Sequence, residues 1–224
     1  MANATVMPEK RSGGFVRDNG LTITLALAVT ASIALMLLAG WRAFNEDQAL
    51  HGEPAIGLVA YAGSGDFLSA LFENWESEFL QMAVYVCLTA ILIQRGSAES
   101  RDPDEGAPGA SPLVLRARSR LRRAGAWIYS YSLGIVLAIL FALCFVGHLF
   151  ESARKAAEAA LPHHAASPTP WEHLGSAAFW FESMQNWQSE FLSTAVLVML
   201  SIWLRYHGSP ESKEVDAPHS ATGK

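Results

Sequence analysis

The stretch Asn74-Trp75-Glu76-Ser77-Glu78-Phe79-Leu80 returns as Asn186-Trp187-Gln188-Ser189-Glu190-Phe191-Leu192. Trp187 follows Trp75 by 112 residues, half of the 224 in the sequence. The register holds well outside the motif: Glu46 meets Glu158, His51 meets His163, Gly63-Ser64 meets Gly175-Ser176, and Gly96-Ser97 meets Gly208-Ser209. Self-similarity at a fixed period is the mark of a repeated structural unit, so the chain is expected to be a tandem duplication.

Each copy sets Asn, Trp and Glu at the mouth of an apolar helix. Hydrophobic residues make up 51% of the chain and charged residues 17%, against roughly 25% charged in soluble domains. Leu21 to Ala39 and Ile128 to Val146 carry no charge, and each has about the 20 residues that cross roughly 30 Å of hydrocarbon. Phe79 to Ile93 and Phe191 to Leu204 are uncharged but short. They reach spanning length only when joined to the mixed stretches Phe67 to Glu78 and Phe179 to Glu190. The expected fold is an all-α membrane protein with four transmembrane helices, built as two parallel two-helix repeats. The first helix has the basic flank and small-residue end of a signal peptide. Its counterpart lies mid-chain, so retention of both is expected.

The expected organisation is a cytoplasmic tail (1–18), a first repeat (19–100), a linker with a basic run (101–123), a second repeat (124–212) and a second tail (213–224). Thirteen Lys and Arg, including Arg17, Arg95, Arg116 to Arg123 and Arg205, fall on one side of this scheme; Arg42, Arg154 and Lys155 fall on the other. That bias puts both termini and the linker in the cytoplasm. Outer loops are expected from Phe44 to Gly65 and from Ala156 to Ser176, with Asp66 as an N-cap of the second helix and Gly96 at its end. Small residues every four positions (Ser130, Gly134, Ala138, Ala142, and Thr22, Ala26, Thr30) predict that helices one and three cross closely.

Glu78 lies 17 residues from Arg95, about 25 Å at helical rise, and Glu190 lies 15 from Arg205, about 22 Å. Both therefore sit just inside the outer hydrocarbon edge, where a carboxylate must be paired, hydrated or protonated. His148 falls at a similar depth. Glu78, Glu190 and His148 form a candidate proton or cation site, with Asn74, Trp75, Ser77, Asn186, Trp187 and Ser189 as the motif around it. The competing reading is structural: interfacial Trp and helix ends tied by hydrogen bonds. It leads, because the inner halves of helices two and four are mostly apolar.

No phosphate loop, dinucleotide fingerprint, nucleophile elbow or HExxH occurs, and Cys87 and Cys144 make neither a disulfide framework nor a zinc motif. No enzyme activity, cofactor or structural metal is expected. The run Arg116 to Arg123 abuts a membrane helix, so anionic lipid is its partner rather than nucleic acid. His163, His164 and His173 read as solvated loop residues. The expected partners are the bilayer, a second copy of the chain, and a protein at the acidic outer loops.

The paired Asn-Trp-x-Ser-Glu-Phe motifs resemble a family of uncharacterised bacterial four-helix integral membrane proteins. Arg17-Asp18-Asn19-Gly20-Leu21, Phe44-Asn45-Glu46-Asp47-Gln48, His51-Gly52-Glu53-Pro54 and Gly208-Ser209-Pro210-Glu211-Ser212-Lys213 belong to the same resemblance, which covers nearly the whole chain. It implies a multi-pass inner-membrane location and supplies no activity. The second loop, Ala156 to His164, departs from the pattern of Phe44 to Gly52, so a loop function would belong to the first copy.

Overall fold

The structure is a computed structural model that describes residues 14–105, 109, 111–161 and 166–223. Lys10, Arg11, His163 and His164 lie outside the described residues. Among those described the protein is all α-helical with no strand. The chain divides into two compact units, Met1–Gly63 and Ser64–Lys224.

The first unit begins with α1 (Phe15–Asp18) and α2 (Gly20–Leu50). α2 is apolar enough to cross a membrane, with a mean hydropathy of 2.3 over its best window. The loop expected from Phe44 starts later, because Arg42 to Leu50 holds neither Gly nor Pro and continues the helix; Gly52, at φ +76°, makes the turn. The chain then folds back. Trp41 Nε1–H donates to the Ile56 carbonyl at 2.7 Å, and Asn45 Oδ1 accepts from the Ile56 amide at 2.8 Å. This seats α3 (Leu58–Ala62) so that the buried Tyr61 ring lies on Gly40, where any Cβ would meet the tyrosine hydroxyl.

The second unit is organised by α4 (Gly65–Ile91), α7 (Ser132–Ala160) and α9 (Ala177–Leu200). α7 is the second helix apolar enough to cross a membrane, with a mean hydropathy of 2.6 over its best window. It too outruns expectation, since Glu151 to Ala160 is made of strong helix formers. Two helices, α2 and α7, thus have the length and apolarity of membrane spans; α4 and α9 do not reach that standard, because Asp66, Glu73, Glu76 and Glu78 lie in α4 and polar residues from Glu182 to Glu190 interrupt α9.

α4 is capped by Ser64, not Asp66: the Ser64 hydroxyl accepts from the Phe67 amide at 3.3 Å, and Asp66 falls in the first turn. Ser176 caps α9 in the same way, accepting from Phe179 at 3.2 Å. α4 packs along α7 through glycines. A Cβ on Gly65 would meet the Lys155 backbone nitrogen at 2.7 Å, one on Gly147 would meet the Phe72 ring at 2.9 Å, and one on Gly134 would touch Cys87 Sγ at 3.7 Å. The small-residue stripe of α7 therefore serves the contact with α4 at Gly134.

α4 stops at Ile91, short of Gly96, and the basic run is broken rather than one helix: α5 (Pro112–Arg116) ends before Ser119, which caps α6 (Arg120–Ser130) by accepting from the Arg122 amide at 3.2 Å. α8 (Pro170–Leu174) opens with a capping box, Thr169 with Glu172. The Thr169 amide and hydroxyl both donate to Glu172, which holds its carboxyl below the usual carboxylate range. At the other end, buried Lys213 folds the last residues back: its ammonium donates to the carbonyls of Gly96, Ala221, His219 and Ile202. Burial, with Arg205 nearby, holds that ammonium below its ordinary value.

Element starts repeat at the sequence period. α2 and α7 begin at 20 and 132, α3 and α8 span 58–62 and 170–174, and α4 and α9 begin at 65 and 177. Gly96 and Gly208 both take positive φ, +88° and +82°.

Candidate functional site

Where the first halves of α4 and α9 meet the second half of α7, polar groups collect inside the protein. Cys144, His148 and Ser152 are four residues apart, so they share the inner face of α7, and all three are buried. Glu73 and Glu76 lie one turn apart on α4, and Glu182, Asn186 and Trp187 follow at helical spacing on α9.

His148 is wholly buried. Its Nδ1 is 2.9 Å from Glu76 Oε2, and its Nε2 is 3.4 Å from Glu182 Oε2. Glu76, also wholly buried, accepts a second hydrogen bond on Oε1 from Trp187 Nε1–H at 3.0 Å. The Ser152 hydroxyl donates to Glu182 Oε2 at 2.8 Å, and His173 Nε2 sits 2.8 Å from Ser152 Oγ. With the serine proton given to Glu182, His173 Nε2–H is the donor of that contact. Burial pushes His173 below the ordinary imidazole value; Glu182 opposes this and His148 adds to it. Asn186 Nδ2–H donates to Glu73. Phe179 closes the cluster, its ring 4.8 Å from His148 and 5.8 Å from His173.

A network of this type holds three helices in one register. It also concentrates negative charge: three carboxylates surround one imidazole. Among the described residues, Glu73, His148 and Glu182 offer ligand atoms that all lie within 4.8 Å of one another.

The residues singled out from the motif have different places. His148 is buried, and the carboxylates it contacts are Glu76 and Glu182; Glu78 is exposed and Glu190 half-buried. Asn74 is exposed and bonds back to the Ala70 carbonyl at 2.7 Å; Trp75 is partly exposed with its edge on Phe72. Ser77 and Ser189 bond within their own helices, to the carbonyls of Asn74 and Asn186. Only the second copy turns its Asn186 and Trp187 onto the α4 carboxylates. His173 is a correction: it is 6% exposed and bonded to Ser152, not a solvated loop residue, because α8 folds back on α7.

Glu73, Glu76, Glu182, Ser152 and His173 escaped the motif reading, which followed what the two copies share. These residues stand where the copies differ. Their counterparts 112 positions away are Gln185, Gln188, Ala70, Gly40 and Tyr61, and His148 is matched by Met36. Departure from the repeat was the available signal.

The fold and site together define a helical protein with two helices suited to a membrane and a buried histidine–carboxylate cluster. The chain belongs to the family described as Domain of unknown function (DUF6766), whose model matches residues 12–224. No curated protein and no solved structure matches the chain.

Proposed function

We propose that this is a four-span bacterial inner-membrane protein made of two tandem two-helix repeats, with both termini and the linker cytoplasmic. It acts as a non-enzymatic packing and docking module. The observation that carries this reading is the way the two motif helices hold each other. Gln81 of α4 donates to the Glu190 carbonyl at 3.1 Å, to Ser193 Oγ at 3.4 Å, and to Thr194. Gln81 and Ser193 are themselves counterparts at the 112-residue period. With Asn186 on Glu73 and Trp187 on Glu76, the motif region works as a clasp between repeats.

Membrane burial of α4 and α9 accounts for their exposed apolar side chains, Met82, Leu88 and Ile91 on one and Leu192, Val196 and Leu200 on the other. A soluble surface rarely carries so many together. The motif clasp leaves lipid, a second copy of the chain and a protein at the acidic outer loops as the partners of the outward faces.

Reporter fusions test the topology. Alkaline phosphatase joined near Glu53 and Ala166 is expected to be active, and a fluorescent protein joined near Arg101 or after the C-terminus is expected to fluoresce. Phosphatase activity from the linker fusion would overturn the arrangement.

A second reading, ion or proton handling, rests on Glu78 and Glu190: neither side chain forms an ion pair among the described residues. Proton flux into liposomes that is lost in the Glu78→Gln/Glu190→Gln protein would favour it; flux no greater than that of empty liposomes would remove it.

A further inference from the structure

We propose that Glu73, Glu182 and His148 Nε2 bind one divalent first-row transition metal ion, and that Glu76 orients the imidazole for it. This goes beyond the packing role and does not depend on it.

The geometry fits. Ligand atoms about 2.1 Å from a tetrahedral ion lie about 3.4 Å from one another. His148 Nε2 and Glu182 Oε2 are 3.4 Å apart, too long for a strong hydrogen bond and right for two ligands of one ion. The three ligand atoms of Glu73, His148 and Glu182 all fall within 4.8 Å of one another.

The surroundings fit as well. A metal-binding histidine characteristically gives its other ring N–H to a carboxylate. Here Nδ1 faces Glu76 at 2.9 Å, and Glu76 is fixed in turn by Trp187 Nε1–H at 3.0 Å. Ser152 fixes Glu182 at 2.8 Å, and Asn186 fixes Glu73. With Nδ1–H donated to Glu76, a neutral ring turns its Nε2 lone pair to the Glu182 oxygen, a contact that a proton on Nε2 or a metal ion between the two makes favourable.

Charge points the same way. Glu73, Glu76 and Glu182 bring three carboxylates together, and among the described residues His148 is the one basic side chain within ion-pair distance of Glu76 and Glu182. Lys155 is engaged by Asp66, 3.7 Å away. Carboxylate and imidazole donors without a thiolate select ions such as zinc, manganese, iron(II) or cobalt over soft copper(I). Glu182 keeps 29% of its side-chain exposure, so an ion reaches the site without unfolding.

The test uses the full-length protein in detergent, stripped with chelator, then loaded with cobalt(II) or zinc and desalted. One equivalent per chain is expected by elemental analysis, with visible cobalt ligand-field bands and a raised melting temperature. Glu73→Gln/Glu182→Gln is expected to abolish binding, Glu78→Gln/Glu190→Gln to leave it intact, and Glu76→Gln to weaken it about 10- to 100-fold. X-ray absorption on the zinc-loaded wild type needs no variant, and one imidazole with oxygen neighbours is expected. Failure to retain an equivalent, retention unchanged in Glu73→Gln/Glu182→Gln, or a zinc shell without imidazole would overturn the site. None of these outcomes bears on the topology reporters.

Discussion

Glu76 Oε2 and His148 Nδ1 lie 2.9 Å apart with both side chains wholly buried, joining α4 to α7. The positions that match them in the other half of the sequence hold Gln188 and Met36, so this pairing exists once. Removing one partner of a buried pair strands the other, at a cost of about 3–5 kcal/mol. His148→Met is expected to destabilise the chelator-treated protein by about that much. His148→Met with Glu76→Gln, which installs the residues found 112 positions away, is expected to recover at least 1 kcal/mol, on the order of measured couplings. Denaturant unfolding in micelles, arranged as a double-mutant cycle, measures the coupling; strict additivity would contradict a direct pair.

Gly65 lets the start of α4 approach the α7 backbone, where a Cβ would come within 2.7 Å of the Lys155 nitrogen and 3.2 Å of the Glu151 carbonyl. Neither neighbour is a side chain that can swing away. Gly65→Ala is therefore expected to lower stability by about 1–3 kcal/mol, as overpacking does. Gly125→Ala, on a helix with open space around the added methyl, is the control, expected to be neutral or slightly stabilising. Equal melting temperatures for the two variants would show that the helices separate freely.

His173 gives the protein an acid-side sensitivity. Its folded value lies below the ordinary one, chiefly because it is buried, with Glu182 opposing and His148 reinforcing the shift. Above the ordinary value of about 6.5 the ring is neutral in folded and unfolded chains alike, and the contact with Ser152 is at full strength. As pH falls below that value the unfolded chain takes up the proton more readily, so stability declines through the folded value. Melting curves between about pH 8 and about pH 5, in chelator, should show a smaller decline in His173→Gln than in wild type. Parallel curves would assign the sensitivity elsewhere.

Lys213 holds the last residues through four carbonyls, two of them in the chain's own tail, His219 and Ala221. A hydrogen bond from a charged donor contributes about 1.5–3 kcal/mol. Lys213→Ala should therefore release the tail, and limited proteolysis after residue 213 should run at least tenfold faster, the equivalent of about 1.4 kcal/mol. Lys213→Arg is not expected to restore it, since the planar guanidinium cannot match the compact ammonium.

The elements were legible because they depend on short-range features. Uncharged runs marked the two apolar helices, the 112-residue period marked matching starts, and Gly96 and Gly208 stood out as turn residues. Boundaries were less legible. α2 and α7 ran on past their apolar stretches because nothing in Arg42 to Leu50 or Glu151 to Ala160 stops a helix. The capping residue moved from Asp66 to Ser64 because the hydroxyl two residues earlier reaches the Phe67 amide.

The sequence by itself determined that the protein is helical, which stretches are apolar enough for a membrane, and where its Asn-Trp-x-Ser-Glu-Phe motif recurs. These follow from composition and spacing along one strand of chain. Which carboxylates meet His148 was decided only in three dimensions. Glu78 and Glu76 are two residues apart and so about 200° apart around α4, and packing against α7 buries one and exposes the other. Glu182 lies 34 residues from His148, and Glu76 lies 72 away. No local pattern encodes such pairings, because they exist only once three separate helices have closed on the same point.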